Sequence, residues 1–205
     1  MDTQQRSWAM DRPINSPFAR PSGALGRLAG RFMLWTNKQD EVLDVLDVRS
    51  GDRVLEVGYG PGGLLRLLAN RTDASVVRGV DPSPAMQDLA TRTNRAAVRA
   101  GRVDPGLGTA DRTDLPDESV DQVVSVNNVA IWPDLEAGLR ELRRVVRPGG
   151  TVVIVWHGGT APSRIAEGLR LPEDKLSRIE TGLKELFSEV TRQQLTSLDV
   201  FKATR

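Results

Sequence analysis

Four glycines within six residues, Gly58, Gly60, Gly62 and Gly63, stand directly behind the run Arg53 to Val57 and directly ahead of Leu64 to Ala69. The first run reads as a short buried strand, the glycines as a tight turn and the second run as the start of a helix. Strand, turn and helix in that order open the ligand site of an α/β fold, where backbone and ligand meet at the helix start. Glycine suits such a turn because it tolerates left-handed backbone and leaves room for close approach.

The same residues satisfy the G-x-G-x-x-G dinucleotide fingerprint through Gly58, Gly60 and Gly63, with Asp81 roughly 20 residues further on. Two neighbours argue against a dinucleotide. Pro61 has no N–H to offer a pyrophosphate, and Glu56 would place a negative charge beside an anionic ligand. An ammonium group, in contrast, is attracted to Glu56. S-adenosylmethionine carries an ammonium, a carboxylate and a sulfonium, so the acid and the free N–H groups of the helix start serve opposite ends of one zwitterion. A nicotinamide-dependent reductase is the alternative this weighing disfavours.

A chain of 205 residues fills one core and is short for two domains. Its 28 basic and 27 acidic side chains give a formal charge of +1, without the basic excess of a nucleic-acid binder. The absence of cysteine excludes disulfides, thiolate metal sites and a cysteine nucleophile. The single histidine, His157, builds no histidine cluster, so no metal site is expected. No secretory signal and no apolar run of about 20 residues is visible, which points to a cytoplasmic protein without a membrane span.

Residues 1–22, with Pro13, Pro17 and Pro21, read as an extended arm, and residues 23–205 as one domain. Within that domain residues 23–50 read as a helical lid. Leu25, Leu28, Phe32 and Trp35 recur at helical spacing, and a second helix is expected from Lys38 to Asp47. Beyond the glycine turn, strands are expected over Ser75 to Val80, Gly108 to Asp111, Val120 to Val126 and Thr151 to Trp156. Helices are expected over Pro84 to Ala100 and Asp134 to Val146, with a turn at Arg147-Pro148-Gly149-Gly150. Two helices between Pro162 and Leu186 then precede a strand pair, Val190 to Leu195 and Val200 to Thr204. This alternation implies a mostly parallel sheet covered on both faces, with an antiparallel hairpin at one edge and the ligand at the carboxyl ends of the strands.

Four segments in order resemble the class I S-adenosylmethionine-dependent methyltransferases, from about Lys38 to the C-terminus. They are Glu56 to Gly62, Gly79-Val80-Asp81-Pro82-Ser83, Thr109-Ala110-Asp111 with Leu115-Pro116-Asp117, and Leu142 to Gly150. The resemblance implies a Rossmann-like three-layer sandwich, a seven-stranded sheet ending in the hairpin, and N-terminal helices over the active site. It also implies a small stand-alone enzyme that converts S-adenosyl-L-methionine to S-adenosyl-L-homocysteine. Glu56, Gly58, Tyr59, Gly60 and Gly62 would then lie on the methionine side of the cofactor. Asp81, with Pro82, would take the ribose hydroxyls, and Ala110 and Asp111 the adenine. Trp35 and Asn37, ahead of the first strand, are candidates for the cofactor carboxylate.

Asn127 and Asn128 follow the strand Val120 to Val126, so the cleft where methyl group and acceptor meet is within reach of one of them. Asn127 is the cofactor-side and catalytic candidate, and Asn128 and Trp132 are candidates for the acceptor side. A turn role for the asparagines and core packing for Trp132 are the competing readings. His157 ends the strongly apolar strand and is the candidate base. Transfer from an already activated sulfonium depends mainly on alignment, worth about 7 to 11 kcal/mol, to which a base adds roughly 3 to 5 kcal/mol. The chain lacks the Asn-Pro-Pro-Tyr type of motif found in nucleic-acid amino-methylating enzymes, and arsenite chemistry would need cysteine. A small metabolite, as in secondary metabolism, is therefore the expected acceptor, used by a monomer or homodimer. A cofactor-binding protein without transfer is the alternative class.

Overall fold

The structure is a computed structural model that describes residues 7–9 and 40–205. The expected helix over Gly23 to Trp35, the candidates Trp35 and Asn37, and most of the proline-rich arm lie outside the described residues. In chain order the elements are α1 (Asp40–Leu46), β1 (Arg53–Val57), α2 (Gly63–Arg71), β2 (Val76–Asp81), α3 (Pro84–Thr93) and α4 (Arg95–Arg99). There follow β3 (Val103–Leu107), β4 (Val120–Val126), a 3-10 turn (Val129–Ile131), α5 (Leu135–Val145) and β5 (Val146–His157). The chain ends with α6 (Arg164–Glu167), α7 (Glu173–Leu186), β6 (Ser188–Gln194) and β7 (Leu198–Thr204).

The strands form one sheet in the order β3-β2-β1-β4-β5-β7-β6, parallel from β3 to β5, with β7 antiparallel to both β5 and β6. Successive side chains of a strand point to opposite faces, so the sheet divides the core in two. On one face Ile154 and Trp156 of β5 pack with Leu135, Leu139 and Leu142 of α5 and Ile179 and Leu183 of α7. On the other, Val153 and Val155 pack with Val42 and Leu46 of α1, Leu64, Leu65 and Leu68 of α2, and Met86 of α3. The expected three-layer architecture and terminal hairpin are therefore present. Neighbouring β1 and β4 lead into connections that run to opposite sides of the sheet, and the crevice this leaves at their carboxyl ends is where α/β sheets bind ligands.

Three local expectations are corrected. The helix expected over Pro84 to Ala100 is broken at Asn94, whose backbone leaves helical geometry at φ −109°, ψ 19°. Its side-chain amide donates to the Gly62 carbonyl at 3.0 Å and the Ala90 carbonyl at 2.9 Å, tying the break to the glycine turn. The short strand expected at Gly108 to Asp111 lies five residues earlier, at Val103–Leu107, and contains Pro105 and Gly106. Proline is tolerated because β3 is the sheet edge, where a missing N–H leaves no ladder bond unmade. Arg147–Gly150 is not a free turn but a bulge inside β5. Pairing advances from Val120 to Gln122 on β4 while it advances from Val146 to Thr151 on β5.

Candidate functional site

The glycine turn leaves β1 at Gly58, whose N–H donates to the Val80 carbonyl of β2 at 2.7 Å. Gly58 has φ +76°, and a Cβ there would lie 2.3 Å from Asn128 Nδ2. Gly62 has φ +79°, and a Cβ there would lie 2.7 Å from Asn94 Nδ2. Both positions thus require glycine for backbone conformation and for packing. Gly62 is also the N-cap residue of α2 and has no side chain to cap with. Glu56 of β1 lies by this helix start, where the Leu65 N–H favours the ionised form of its carboxyl group.

Glu56 is buried, and its Oε2 has no hydrogen-bond partner. Burial, and secondarily the nearby charge of Asp81, pushes its pKa well above the usual 4.5, against the opposing influence of the Leu65 N–H. Asp81 ends β2 and is also buried. Its Oδ2 accepts the Gly60 N–H at 3.0 Å and its Oδ1 the Ser83 N–H at 2.9 Å. Burial raises its pKa to about 6, and those two N–H groups hold it from rising further. Each carboxylate oxygen keeps a second lone-pair direction, so Asp81 retains acceptor capacity after both bonds. Two acids sharing one buried region, one with an orphaned oxygen, favour a ligand that brings a cation and several donors.

Tyr59 is buried and carries its hydroxyl across β2 to donate to the Gly106 carbonyl of β3 at 2.9 Å. Gly79 makes room for the ring, because a Cβ there would meet Tyr59 Cδ1 at 2.5 Å. Burial, with Asp81 and Glu56 nearby, raises the phenol's pKa, so the hydroxyl stays a donor. Pro82 is exposed beside Asp81. The Gly108 N–H donates to the Asp81 carbonyl at 3.2 Å, which brings the next loop alongside. In that loop Thr109 and Arg112 exchange backbone bonds around buried Ala110 and exposed Asp111.

After β4, Asn127 adopts φ +55°, an uncommon backbone for a residue with a Cβ, and its buried Oδ1 has no partner. Its N–H donates to the Val155 carbonyl of β5 at 2.8 Å. Asn128 points the other way, into the protein. Its Oδ1 accepts from Ser125 Oγ at 2.8 Å and Trp132 Nε1 at 2.7 Å, and its Nδ2 donates to the Val57 carbonyl at 2.7 Å. Trp132 is buried, with its ring laid over Gly138, where a Cβ would approach Cε3 to 2.6 Å. His157 is half-buried at the carboxyl end of β5, edge-on to Trp156 with ring centroids 5.5 Å apart. Burial lowers its pKa below the usual 6.5, which leaves a neutral imidazole at pH 7.

Glu56, the glycine turn, Tyr59, Asp81 and Asn128 are therefore linked at the carboxyl ends of β1, β2 and β4, with Asn127 next to Asn128 on the side of β5. The loop that carries Asp111 is joined to Asp81 at Gly108. His157 stands one strand beyond β4, on the other side from Asp81. Two residues the sequence reading missed hold this arrangement. Asn94 anchors Gly62, and Glu141 of α5 anchors the loop of Asp111 by accepting the Thr113 N–H at 2.8 Å and Thr113 Oγ1 at 2.6 Å. Neither carries a local signal, since each acts on a partner distant in sequence. Among the described residues no cluster of three metal-ligating side chains occurs, and no helix is long and apolar enough to cross a membrane.

Residues 54–150 match the family described as a methyltransferase domain. YdaC of Bacillus subtilis (strain 168), an uncharacterized methyltransferase, is 33% identical over 132 residues, 63% of this chain and 71% of that protein. UbiE of Geotalea daltonii, a ubiquinone/menaquinone biosynthesis C-methyltransferase, is 33% identical over 104 residues, 50% of this chain and 44% of that protein. The chain thus spans less than half of that relative's length. A solved structure of a candidate S-adenosyl-L-methionine-dependent methyltransferase from Methanococcus maripaludis superposes with a TM-score of 0.71 at 18% identity. The match covers 87% of this chain and 93% of that one, a likeness of fold.

Proposed function

The chain belongs to the class I S-adenosylmethionine-dependent methyltransferases, and from that premise we propose that it methylates oxygen, nitrogen or carbon of a small cytoplasmic metabolite. The observation that carries the cofactor placement is the orphaned Oε2 of buried Glu56 beside Asp81. In this reading Glu56 faces the ammonium of the methionine end, and Asp81 accepts from the two ribose hydroxyls. Asp111 accepts from the adenine amino group, and the orphaned Oδ1 of Asn127 faces the methionine end. Tyr59, Asn128 and Trp132, whose polar groups bond within the protein, serve as framework that sets the crevice's shape.

The bound cofactor supplies an already activated methyl group. What the chain's own residues add is alignment, exclusion of water and, at His157, a neutral imidazole to take a proton from the acceptor. A small acceptor is supported by the near balance of charge, by the absence of the nucleic-acid motif, and by a matched relative named for quinone biosynthesis. The test is transfer from methyl-labelled S-adenosylmethionine into metabolite extracts. Label in a low-mass product upholds the reading, whereas label only in protein or nucleic acid refutes it.

A further inference from the structure

We propose that Trp8 is a positioning residue for the cofactor crevice: docked on the turn after β4, it holds Asn128 against the glycine turn. The proposal rests on the placement of the cofactor argued above. Trp8 Nε1 donates to the Val129 carbonyl at 2.7 Å, and its backbone N–H donates to the Trp132 carbonyl at 3.2 Å. Two bonds from one residue thus clamp both ends of the 3-10 turn. Arg178 and Lys175 of α7 lie 5.2 and 5.9 Å from the indole ring centroid, and Arg178 is itself bonded to Glu136 of α5 at 2.7 Å. The ring is therefore held against α7, whose Arg178 is tied in turn to α5, as well as against the turn.

From Trp132 the connection continues to the site. Its indole N–H donates to Asn128 Oδ1, Asn128 Nδ2 donates to the Val57 carbonyl, and the same amide sits where a Cβ of Gly58 would be. Asn127, with its strained backbone, lies between this network and β5. A residue at position 8 thus reaches the start of the glycine turn through its main-chain bond to the Trp132 carbonyl and its indole bond to the Val129 carbonyl, and from there through the side chains of Trp132 and Asn128. Such a chain transmits a displacement because neither Trp132 nor Asn128 can move without breaking a buried bond.

The test uses Trp8→Phe, which keeps a ring under Arg178 and removes the N–H, and Trp8→Ala, which removes both. In ligand-free protein, hydrogen exchange should quicken at residues 127–132 and also at 58–60, while β5 and β7 stay protected. Quickening confined to 129–132 would overturn the proposal, and this readout does not depend on cofactor binding. For S-adenosylhomocysteine, Trp8→Phe should raise Kd roughly threefold to tenfold with little change in melting temperature, and Trp8→Ala should raise it further. Combining Trp8→Phe with Trp132→Phe should add nothing beyond Trp132→Phe alone. Unchanged Kd in folded variants, or fully additive effects, would also overturn it. Failure of the wild type to bind the ligand would instead sink the cofactor placement and leave the exchange result to decide the coupling.

Discussion

Asp81 Oδ2 accepts the Gly60 N–H at 3.0 Å, so the acid that ends β2 and the turn that follows β1 form one rigid unit. The same carboxylate holds Ser83, whose hydroxyl caps α3 at Met86. One buried side chain thereby fixes the starts of two connections before it meets any ligand.

With Asp81 on the ribose, as proposed, that burial should make cofactor binding pH-dependent. Asp81 has its pKa raised to about 6, so in ligand-free protein its contribution to stability is fully present below the unfolded value of 3.8 and lost as pH rises through about 6. Buried Glu56 acts in the same direction. Ribose hydroxyls bond best to the ionised acid, so S-adenosylhomocysteine should bind more tightly as pH rises through 6. Calorimetry between pH 5 and 7 should show that step in the wild type and a flattened one in Asp81→Asn. A step of equal size in both would assign it elsewhere.

Gly58→Ala should destabilise the fold as well as the site. The new Cβ would fall 2.3 Å from Asn128 Nδ2 and 2.6 Å from Cγ, at φ +76°. Asn128 has no free path, being bonded to Val57, Ser125 and Trp132. Displacing it leaves buried groups unpaired, a loss of about 2 to 4 kcal/mol measurable by urea unfolding. Wild-type stability in this variant would mean that the Asn128 network is dispensable.

Acid should loosen the molecule through two other carboxylates. Burial would raise Glu141, but bonds from Arg144 and Thr113 outweigh it and bring the pKa to about 2. Asp121 reaches about 2 in the same way, its burial outweighed by Arg53 and Arg147. Their contribution is present above the unfolded values of 4.5 and 3.8 and disappears as pH falls from there toward 2. The urea midpoint should drop across that window, less so in Glu141→Gln and Asp121→Asn. An unchanged slope in both variants would contradict the assignment.

His157→Gln should lower turnover roughly a hundredfold or more once the acceptor is in hand, while leaving S-adenosylhomocysteine affinity intact. The wild-type rate should rise with pH through a value below 6.5, the direction burial gives the imidazole, and the variant should lack that limb. Equal rates would remove His157 from the chemistry.

Much of this was legible in the sequence because local pattern and tertiary role agree there. β1, the glycine turn and Asp81 at a strand end follow from apolar runs and turn residues alone, as does the terminal hairpin. β3 was misplaced because Pro105 and Gly106 are poor strand formers that only an edge position accepts. Asn94 broke a helix that periodicity would have continued, because its amide serves Gly62, far away in the chain. Asn127 and Asn128 are adjacent and alike, yet one leaves an orphaned oxygen and the other is fully bonded in the core. Only the positive φ of Asn127, a backbone property, separates them.

The most direct measurement is a calorimetric titration of S-adenosylhomocysteine into wild type, Asp81→Ala and Glu56→Gln. The account predicts a single site in the wild type and a loss of at least about tenfold in affinity in each folded variant, the scale of one charge-assisted bond. Equal affinity in all three proteins would contradict it, by placing the ligand away from the two buried acids.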